Sequence, residues 1–443
     1  MVLGEWYIPG TPEPEYPDWF KDSVIALYDP AKQGITNFDV IESYTEDFTT
    51  WRYLDSRGIA TITGSTIHIT EAKSIQGIVE DNKEPYSDIK ILVQGVTADN
   101  PLNVRDINGT KAVIDKDGVY EFKDNGLYFG FGFSKVGVVD VTITQLPTSI
   151  LKDLSGNGNH AYLYGGKGKL NSGMGLYKVD FTSWRKSSVQ TEVKPDVVKV
   201  TPNTSNYLFI QYANSVEIPS YKIKVIGLGD NVLKYQYATE NGRKEINIVE
   251  GENELPTSIK VSNDYQIGYR LTPGTSVFTI TQIPDYPNQL CYDGMMYAVC
   301  YGFPILTDYT VMAERTWFEK EEYSAFISNS LGGMEDPSNG AFSVELKSLN
   351  SFTTISFGGI TSIGIPEKGI TYQTKQSYNG NSINVGTKES NDILILGGRY
   401  FYKNDNVAGN TWTGCHGTII VADRSFTEEE INWLKENIYN IEI

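Results

Sequence analysis

The sequence predicts an all-β protein, and its composition, its residue alternation and an internal repeat support this prediction. The 443 residues include 42 Gly and 29 Tyr, and long runs of Ala, Leu, Glu and Lys at helical spacing are missing. Glycine favours tight turns, whereas Tyr and β-branched residues favour strands. Because the length exceeds that of a usual single domain, we expect about two to four domains.

An internal repeat divides the chain. The block Asp-Phe-Thr-Thr-Trp-Arg at 47–52 recurs as Asp-Phe-Thr-Ser-Trp-Arg at 180–185, and Thr-Ile-Thr-Gln-Leu-Pro at 142–147 recurs as Thr-Ile-Thr-Gln-Ile-Pro at 279–284. Between these blocks, Ile-Lys-Ile at 89–91 corresponds to Ile-Lys-Val at 223–225. Because the blocks keep their order and nearly their spacing, we predict two homologous modules, at 41–147 and 179–284.

Residue alternation within the repeats is that of β-strands. Val139, Val141 and Ile143 alternate with polar residues, and short stretches of this kind are separated by Gly, Asn and Asp turns. This pattern describes a small sandwich or jelly roll. The opening block resembles the start of carbohydrate-binding-module-like jelly rolls, which leaves two roles open for Trp51 and Trp184: core packing or a platform for a sugar.

The remaining chain resembles one laminin-G-like, concanavalin-A-like sandwich. Two motifs are similar to elements of that fold: Asp-Leu-Ser-Gly-Asn-Gly-Asn-His at 153–160, and Leu-Cys-Tyr-Asp-Gly-Met-Met-Tyr-Ala-Val at 290–299. The resemblance implies a sandwich formed by 23–40, 148–178 and 285–443 and interrupted by the two modules. A short C-terminal helix follows, since Thr427 and Glu430 have the spacing of a capping box.

The resemblance also implies a calcium site. Laminin-G-like domains often bind calcium through loop oxygens, and Asp153, Asn157 and Asn159 carry oxygens of the right kind. The alternative is that these side chains brace a tight turn whose glycines adopt positive φ. We expect no other cofactor.

Residues 1–22 form a proline-rich arm, with Pro9, Pro12, Pro14 and Pro17 in a short stretch. Such a segment is stiff and extended. It is either a tail or an arm that packs on a neighbouring subunit. In the second case its anchors are Trp6, Tyr7, Trp19 and Phe20.

Charge excludes some partners. The formal net charge is −18, with 37 basic and 55 acidic side chains, so we expect no binding to nucleic acid or to an anionic membrane. The first twenty residues have neither the positive start nor the apolar core of a signal peptide. Three cysteines and three histidines offer few ligands for zinc. The low, odd number of cysteines is typical of a chain made in a reducing cytoplasm.

No catalytic motif is found. Glycosidases on this type of sandwich carry paired carboxylates, usually as Glu-x-Asp-x-x-Glu, and the sequence contains no such run. A Gly-x-Ser-x-Gly elbow and a phosphate-binding loop are also missing. The sequence therefore predicts a protein that is not an enzyme.

The combination of motifs resembles virion proteins of crAss-like phages of gut bacteria. The turn at 153–160, the Asp-Phe-Thr-x-Trp modules and the Phe-Pro-Ile-Leu-Thr segment at 303–307 carry this resemblance. It implies a structural component of the virion, a fibre or appendage on tail or head, made in the host cytoplasm. The implied partners are other virion proteins, further copies of the chain in a homo-oligomer such as a trimer, and host surface glycan.

The alternative function is that of a secreted or surface glycan-binding lectin of a gut bacterium. In both cases exposed aromatic side chains are the expected contacts with glycan, because sugar rings stack on their flat faces. We predict Trp412, in the 409–417 stretch, as the first candidate, together with Trp51 and Trp184. The other role open for Trp412 is packing at the rim of the sandwich.

Overall fold

The fold was analysed in a computed structural model of the chain. It describes residues 15–35, 47–51, 53, 60–73, 77–79, 89–106, 109–122, 129–147, 149–165, 170–186, 190–202, 207–212, 214–319, 321–331, 340–348, 351–364, 368–402 and 407–440. Nearly all regular structure in these residues is β-strand, and the prediction of an all-β fold with a short C-terminal helix is confirmed.

The strands of the first half of the chain are β1 Val24–Tyr28, β2 Ala60–Ile62, β3 Thr66–Ala72, β4 Gly77–Val79, β5 Ile89–Gln94, β6 Leu102–Asp106, β7 Gly109–Ile114, β8 Gly118–Phe122, β9 Phe129–Phe133, β10 Gly137–Gln145, β11 Ile150–Leu151, β12 Ala161–Tyr164, β13 Gly173–Leu176, β14 Arg185–Lys186, β15 Gln190–Val193, β16 Val197–Thr201 and β17 Tyr207–Tyr212.

The strands of the second half are β18 Tyr221–Ile226, β19 Val232–Thr239, β20 Gly242–Ile248, β21 Gly251–Leu255, β22 Gln266–Thr272, β23 Phe278–Ile283, β24 Asp285–Asp293, β25 Tyr297–Tyr301, β26 Thr310–Trp317, β27 Ala325–Ser328, β28 Phe342–Ser348, β29 Ser351–Ser356, β30 Gly359–Ile363, β31 Lys368–Thr374, β32 Ser377–Tyr378, β33 Asn381–Ser382, β34 Ile393–Leu396, β35 Tyr400–Tyr402, β36 Val407–Gly409 and β37 Thr413–Ala422. The helices are α1 Asp18–Ser23 and α2 Glu428–Asn437, with 3₁₀ turns at Pro30–Lys32, Phe48–Thr50 and Phe181–Ser183.

The two repeats have the same topology. In the first repeat one sheet has the order β2-β3-β10-β5-β8 and the other β4-β9-β6-β7. In the second repeat the corresponding orders are β15-β16-β23-β18-β21 and β17-β22-β19-β20, with β14 added beside β17. Apart from β14, every described strand of one repeat therefore has a counterpart in the other, as the conserved order of sequence blocks predicts.

The repeated Asp-Phe-Thr block forms the same local structure twice. Asp47 and Asp180 each precede a 3₁₀ turn and accept a hydrogen bond from the backbone N–H two residues later, at 2.9 and 2.8 Å. Phe48 and Phe181 are fully buried in the cores of their modules. An Asp side chain stabilises the start of a helical turn in this way because it satisfies a free N–H group.

Three separated stretches of chain contribute to one pair of larger sheets. In the first, β26 lies between β31 and β37, the strands β32 and β33 extend the sheet beyond β31, and β1 pairs with β37. The second has the order β11-β12-β25-β34-β27-β28-β29-β30. The first strand of the chain and the segment before the second repeat thus pair with strands of the C-terminal part. The domain boundaries given above stay a prediction.

The first repeat covers the outer face of the second large sheet. Leu92 and Leu146 of the repeat belong to the same buried cluster as Tyr162, Val299 and Ile395 of that sheet. In addition, the ammonium group of Lys90 lies 5.0 Å from the ring centre of Tyr162. Since both faces of the sheet are covered here, all four residues of β12 and all four of β34 are buried.

Helix α2 begins as the sequence predicts. The Thr427 hydroxyl accepts a hydrogen bond from the Glu430 N–H, and the Glu430 carboxylate accepts one from the Thr427 N–H. Ile431 and Leu434 are buried. Arg424 donates two further bonds to Glu430, of 2.6 and 2.9 Å.

The described part of the N-terminal arm packs on its own chain. The Trp19 ring lies 5.1 Å from Phe426 and 5.7 Å from Trp433, and Phe20 is buried. Trp19 and Phe20 therefore have contacts within the subunit, and docking of the arm on a neighbouring subunit stays a prediction. The other two predicted anchors, Trp6 and Tyr7, lie outside the described residues.

The chain divides into two compact units, one containing described residues of 1–173 and 292–443, the other those of 174–291. The first repeat thus belongs to the same unit as the large sandwich. Within the part of the chain that the structure describes, no helix has the length and apolar character needed to cross a membrane.

Candidate functional site

The three tryptophans predicted as sugar platforms are buried. Trp412 has no exposed surface, and Trp51 and Trp184 are 3% and 5% exposed. A sugar ring can stack only on an aromatic face that reaches solvent. The prediction that these three residues bind glycan is therefore wrong, and their other role, packing, is the one observed.

Trp412 lies among aromatic side chains of the large sandwich. Its ring centre is 5.3 Å from Tyr292, 5.6 Å from Trp317 and 5.1 Å from Phe326. Gly414 makes this position possible, because a Cβ at that residue would lie 2.2 Å from the indole. The 409–417 stretch contains the end of β36 and the start of β37, so Trp412 lies between two strands.

The tryptophans of the two repeats occupy equivalent core positions. Trp51 packs on Phe48 at 5.1 Å and on Phe131 at 5.3 Å. Trp184 packs on Phe181 at 6.0 Å and on Tyr269 at 5.8 Å. In both modules the Phe and Trp of the repeated block pack on a third aromatic ring, which lies on β9 in the first repeat and on β22 in the second.

The predicted calcium ligands brace a turn. Asp153 Oδ1 accepts bonds from the N–H groups of Leu27 and Ser155, at 2.9 and 2.8 Å. Its Oδ2 accepts from the Ser155 hydroxyl at 2.9 Å and from the Asn159 N–H at 3.0 Å. A carboxylate has about four lone-pair positions, and these four donors occupy them.

The two asparagines of the same turn hold the first strand. Asn157 donates its side-chain amide to the Val24 carbonyl at 2.9 Å, and Asn159 donates to the Ile25 carbonyl at 2.6 Å. Gly156 and Gly158 have φ of 91° and 78°, the left-handed conformation that the turn requires. The structure brings the three predicted ligands together, but as the brace of a turn, and we correct the calcium prediction accordingly.

No other cation site is found in the described residues: they contain no group of three or more His, Cys, Asp or Glu side chains placed to hold a metal ion. Two of their carboxylates, Asp153 and Glu345, are buried. Arg399 donates bonds of 2.5 and 2.9 Å to Glu345. Both buried carboxylates are thus held by hydrogen-bond donors of the protein.

An open groove lies on the second repeat. It has a volume of about 550 Å³ and is lined by Tyr212, Arg243, Asp264, Tyr265 and Gln266. Arg243 and Asp264 are exposed, and the other three are partly exposed. Sequence reasoning did not identify this groove, because its residues are spread over more than fifty positions and belong to no motif.

Strand pairing brings the groove residues together. Tyr212, at the end of β17, is the register partner of Gln266, at the start of β22. Arg243 follows the tight turn between β19 and β20, in which Thr239 pairs with Gly242. Because antiparallel neighbours place the end of one strand beside the start of the next, all of these residues meet at the same end of one sheet.

Hydrogen bonds fix both tyrosine rings. The Tyr212 hydroxyl accepts a bond of 2.7 Å from Arg185 Nη1. The Tyr265 hydroxyl accepts a bond of 2.8 Å from the side-chain amide of Asn263. The backbone N–H of Tyr265 donates to the Asn263 carbonyl at 2.9 Å. The groove therefore offers two oriented aromatic rings together with a cation, a carboxylate and an amide.

Comparison with known proteins gives a similarity of fold only. No family model and no curated protein matches the chain. Among solved structures, it is similar to Trypanosoma rangeli sialidase in complex with 2,3-difluoro-KDN (9% identity, 88% of this chain and 84% of that chain, TM-score 0.27). The same sialidase in complex with sialic acid matches at 11% identity, over 88% and 84% of the chains, with a TM-score of 0.26.

A further similarity is to a Clostridium perfringens structure with a catalytic domain and two CBM51 domains (9% identity, 60% of this chain and 38% of that chain, TM-score 0.14). The sialidases are enzymes, which contradicts the prediction that this chain is not one, and we withdraw that prediction. At these TM-scores the matches assign no reaction to the chain.

Proposed function

We propose that the protein binds carbohydrate, and that the groove lined by Tyr212 and Tyr265 on the second repeat is the binding site. The observation that supports this proposal is the chemistry of the groove. Two tyrosine rings held by hydrogen bonds stand beside exposed charged side chains in an open depression. Sugar rings have apolar faces that stack on aromatics, and hydroxyl groups that both donate and accept hydrogen bonds.

The arrangement suits an extended polymer better than a small apolar ligand. Apolar ligands prefer enclosed pockets with mostly hydrophobic walls, whereas this groove is open and four of its five residues have charged or hydroxyl-bearing side chains. Arg243 and Asp264 can each bond to sugar hydroxyls, and charge-assisted bonds of this kind are the stronger ones.

The biological setting belongs to the same proposal. We place the protein on a phage particle, as a fibre or appendage that contacts host surface glycan, and the support for this is the resemblance of its motifs to crAss-like virion proteins. A glycan-binding lectin of a gut bacterium would use the same groove. Mass spectrometry of purified phage particles distinguishes the two settings. A virion component must be present in the particles, and absence of the protein from them would favour the lectin.

The binding site is tested by removing each ring. Tyr212→Ala and Tyr265→Ala are expected to weaken binding to capsular polysaccharide of gut bacteria by about tenfold or more, since an aromatic anchor contributes a large share of binding energy. Titration calorimetry with size-fractionated polysaccharide measures the change. Release of reducing ends is assayed in the same samples, so that cleavage is detected if it occurs.

The matched control is Tyr120→Ala in the first repeat. Tyr120 is a partly exposed tyrosine whose hydroxyl donates to the Lys116 carbonyl, and it lies outside the groove. Unchanged binding in this variant is expected. Equal affinity in the two groove variants and the wild type, with all three folded, would rule out the groove as the site.

A further inference from the structure

The exposed arginines of the described residues meet at the groove of the second repeat. Arg185 and Arg243 are exposed, and Arg243 lines the groove. Arg185 Nη1 donates its bond of 2.7 Å to the hydroxyl of Tyr212, which also lines the groove. The other described arginines are buried or half-buried: Arg105, Arg270, Arg315, Arg399 and Arg424. The guanidinium groups that can reach a ligand from solvent are thus concentrated at one place.

Neither exposed arginine has a carboxylate partner within the described part of the chain. Elsewhere an arginine bonds to a carboxylate, as Arg399 does to Glu345. The ion pairs between described residues include neither Arg185, nor Arg243, nor Asp264. Since the chain has 55 acidic and 37 basic side chains, acidic partners are abundant. The two guanidinium groups are therefore available to a negative charge from outside the chain.

Strand order places one of these arginines at each edge of a sheet. The order is β14-β17-β22-β19-β20, with Arg185 on β14 and Arg243 on β20. Four strand spacings of about 4.8 Å separate the two strands, roughly 19 Å in all. Tyr212, on β17, and Tyr265, directly before β22, lie between them. The two arginines thus flank the two aromatic rings.

The charge at the groove differs in sign from that of the whole chain. Asp264 is the carboxylate that lines the groove. Together with the two guanidinium groups it gives a sum of +1, against −18 for the chain. Glu240, in the turn before β20, is exposed but does not line the groove. A negatively charged ligand is therefore attracted at the groove, although the chain as a whole repels it.

Arginine is suited to one kind of anionic group on a sugar. Its guanidinium presents N–H donors in a planar fork that matches the two oxygens of a carboxylate, and such charge-assisted pairs are stronger than bonds to neutral hydroxyls. A neutral sugar needs no cation, since amide and hydroxyl side chains can bond to its hydroxyl groups. Two arginines on either side of aromatic rings therefore favour a sugar chain that carries carboxylates.

We propose that the groove binds an acidic polysaccharide, whose carboxylates pair with Arg243 and Arg185 while its sugar rings stack on Tyr212 and Tyr265. The separation of the two arginines means that they bind carboxylates of different sugar residues of one polymer. This inference rests on the proposed function, because it names the class of carbohydrate that the same groove takes.

Chemical removal of the carboxylates tests the class of polysaccharide. The full chain is titrated calorimetrically with acidic capsular polysaccharide of gut bacteria, before and after reduction of its carboxyl groups to alcohols. Reduction is expected to weaken binding about tenfold or more, because the charge-assisted bonds are lost. A dephosphorylated sample of the same polysaccharide should bind as the native one does. Unchanged affinity after carboxyl reduction, or loss of binding after dephosphorylation, would overturn the proposal.

Variants of Arg243 test the residue that recognises the carboxylate. Arg243→Gln should weaken binding to the native polysaccharide about tenfold and binding to the carboxyl-reduced form much less. Arg243→Lys should lie between Arg243→Gln and the wild type, since it keeps the charge and loses the fork. The control is Lys222→Gln, which removes an exposed positive charge from β18 in the other sheet of the same repeat and should leave binding unchanged. Equal affinity of Arg243→Gln and the wild type for the native polysaccharide contradicts the proposal.

These measurements separate the acidic ligand from the binding site itself. If Tyr212→Ala and Tyr265→Ala weaken binding while carboxyl reduction and Arg243→Gln do not, the groove binds neutral carbohydrate, and only the inference of an acidic ligand is wrong. If the wild type binds neither the native nor the carboxyl-reduced polysaccharide, both the inference and the proposed function are wrong.

Discussion

At the scale of single residues, burial decides the role of the side chains that the motifs contain. Trp412, Trp51 and Trp184 have the right chemistry to stack on sugars, yet all three lie in cores. Tyr212 and Tyr265 belong to no motif, yet they reach the surface in an open groove. The type of a residue limits the contacts that its side chain can make. Its position in the sheets decides which of those contacts form.

Burial also decides the role of the charged residue Asp153, which is held by hydrogen-bond donors of its own chain. Asp153→Ala removes the acceptor of four hydrogen bonds, one from Leu27 in β1 and three from Ser155 and Asn159 within the turn. Donors left without partners each cost about 1–3 kcal/mol, so we expect a loss of about 3 kcal/mol in the free energy of unfolding of the sandwich. Urea titration followed by tryptophan fluorescence measures it.

Ser155→Ala is the comparison for this prediction. It removes one of the four bonds to Asp153, together with the longer bonds of the Ser155 hydroxyl to Ile25 and Asn157, and should cost less than Asp153→Ala because the buried carboxylate keeps its other three donors. The wild-type midpoint is also compared in excess calcium and in EDTA. Since protein donors occupy the carboxylate, we expect the same midpoint in both. A clear stabilisation by calcium would restore Asp153, Asn157 and Asn159 as a calcium site.

At the scale of elements, the agreement between sequence and structure is closest where the interaction is local. Helix α2 has its predicted capping box, and both Asp-Phe-Thr blocks form the same 3₁₀ turn. These structures depend on residues within three or four positions of one another, so spacing alone specifies them.

The cap of α2 gives a second prediction. Thr427→Ala is expected to cost about 1 kcal/mol in local stability, because it leaves the Glu430 N–H without its acceptor. Faster hydrogen exchange of the amides in 428–434 reports this change. Glu429→Ala, in the same turn but outside the capping box, is the control and should change exchange much less.

The same helix should respond to pH. The hydrogen bond from Arg424, followed by that from the Thr427 N–H, lowers the pKa of Glu430 below its usual value. A carboxyl group whose folded pKa is lowered stabilises the protein fully above its unfolded pKa, about 4.3, and loses this contribution as pH falls through the folded pKa. The protection factors of the 428–434 amides, which correct for the pH dependence of intrinsic exchange, should therefore fall below about pH 4, and Glu430→Gln should remove this loss of protection.

At the scale of the whole molecule, the first repeat is more than an inserted module. Leu92 and Leu146 cover Tyr162, Val299 and Ile395 on the outer face of a large sheet. Each fully buried apolar side chain of this size contributes about 1.5–3 kcal/mol relative to its exposed state, so the contact stabilises both partners.

A deletion tests this arrangement. Removing 47–147 and closing the gap should leave a sandwich that folds but self-associates, because the deletion exposes an apolar patch. Size-exclusion chromatography with light scattering measures the mass. A variant that combines this deletion with Val299→Thr and Ile395→Thr should self-associate less than the deletion alone, because the exposed patch is less apolar. If the variant that carries only the deletion is monomeric, the contact covers too little apolar surface to cause self-association.

The sequence by itself determined the all-β class, the pair of homologous modules, the cap of α2 and the tight turn at 153–160. Each of these follows from composition, period or spacing over a few residues. Only the tertiary structure decided that the predicted tryptophans are buried, that Asp153 is saturated by donors of its own chain, and that Tyr212 and Tyr265 share a groove. The physical reason is that exposure and coordination depend on which distant strands become neighbours, and strand register is set by packing over the whole sheet.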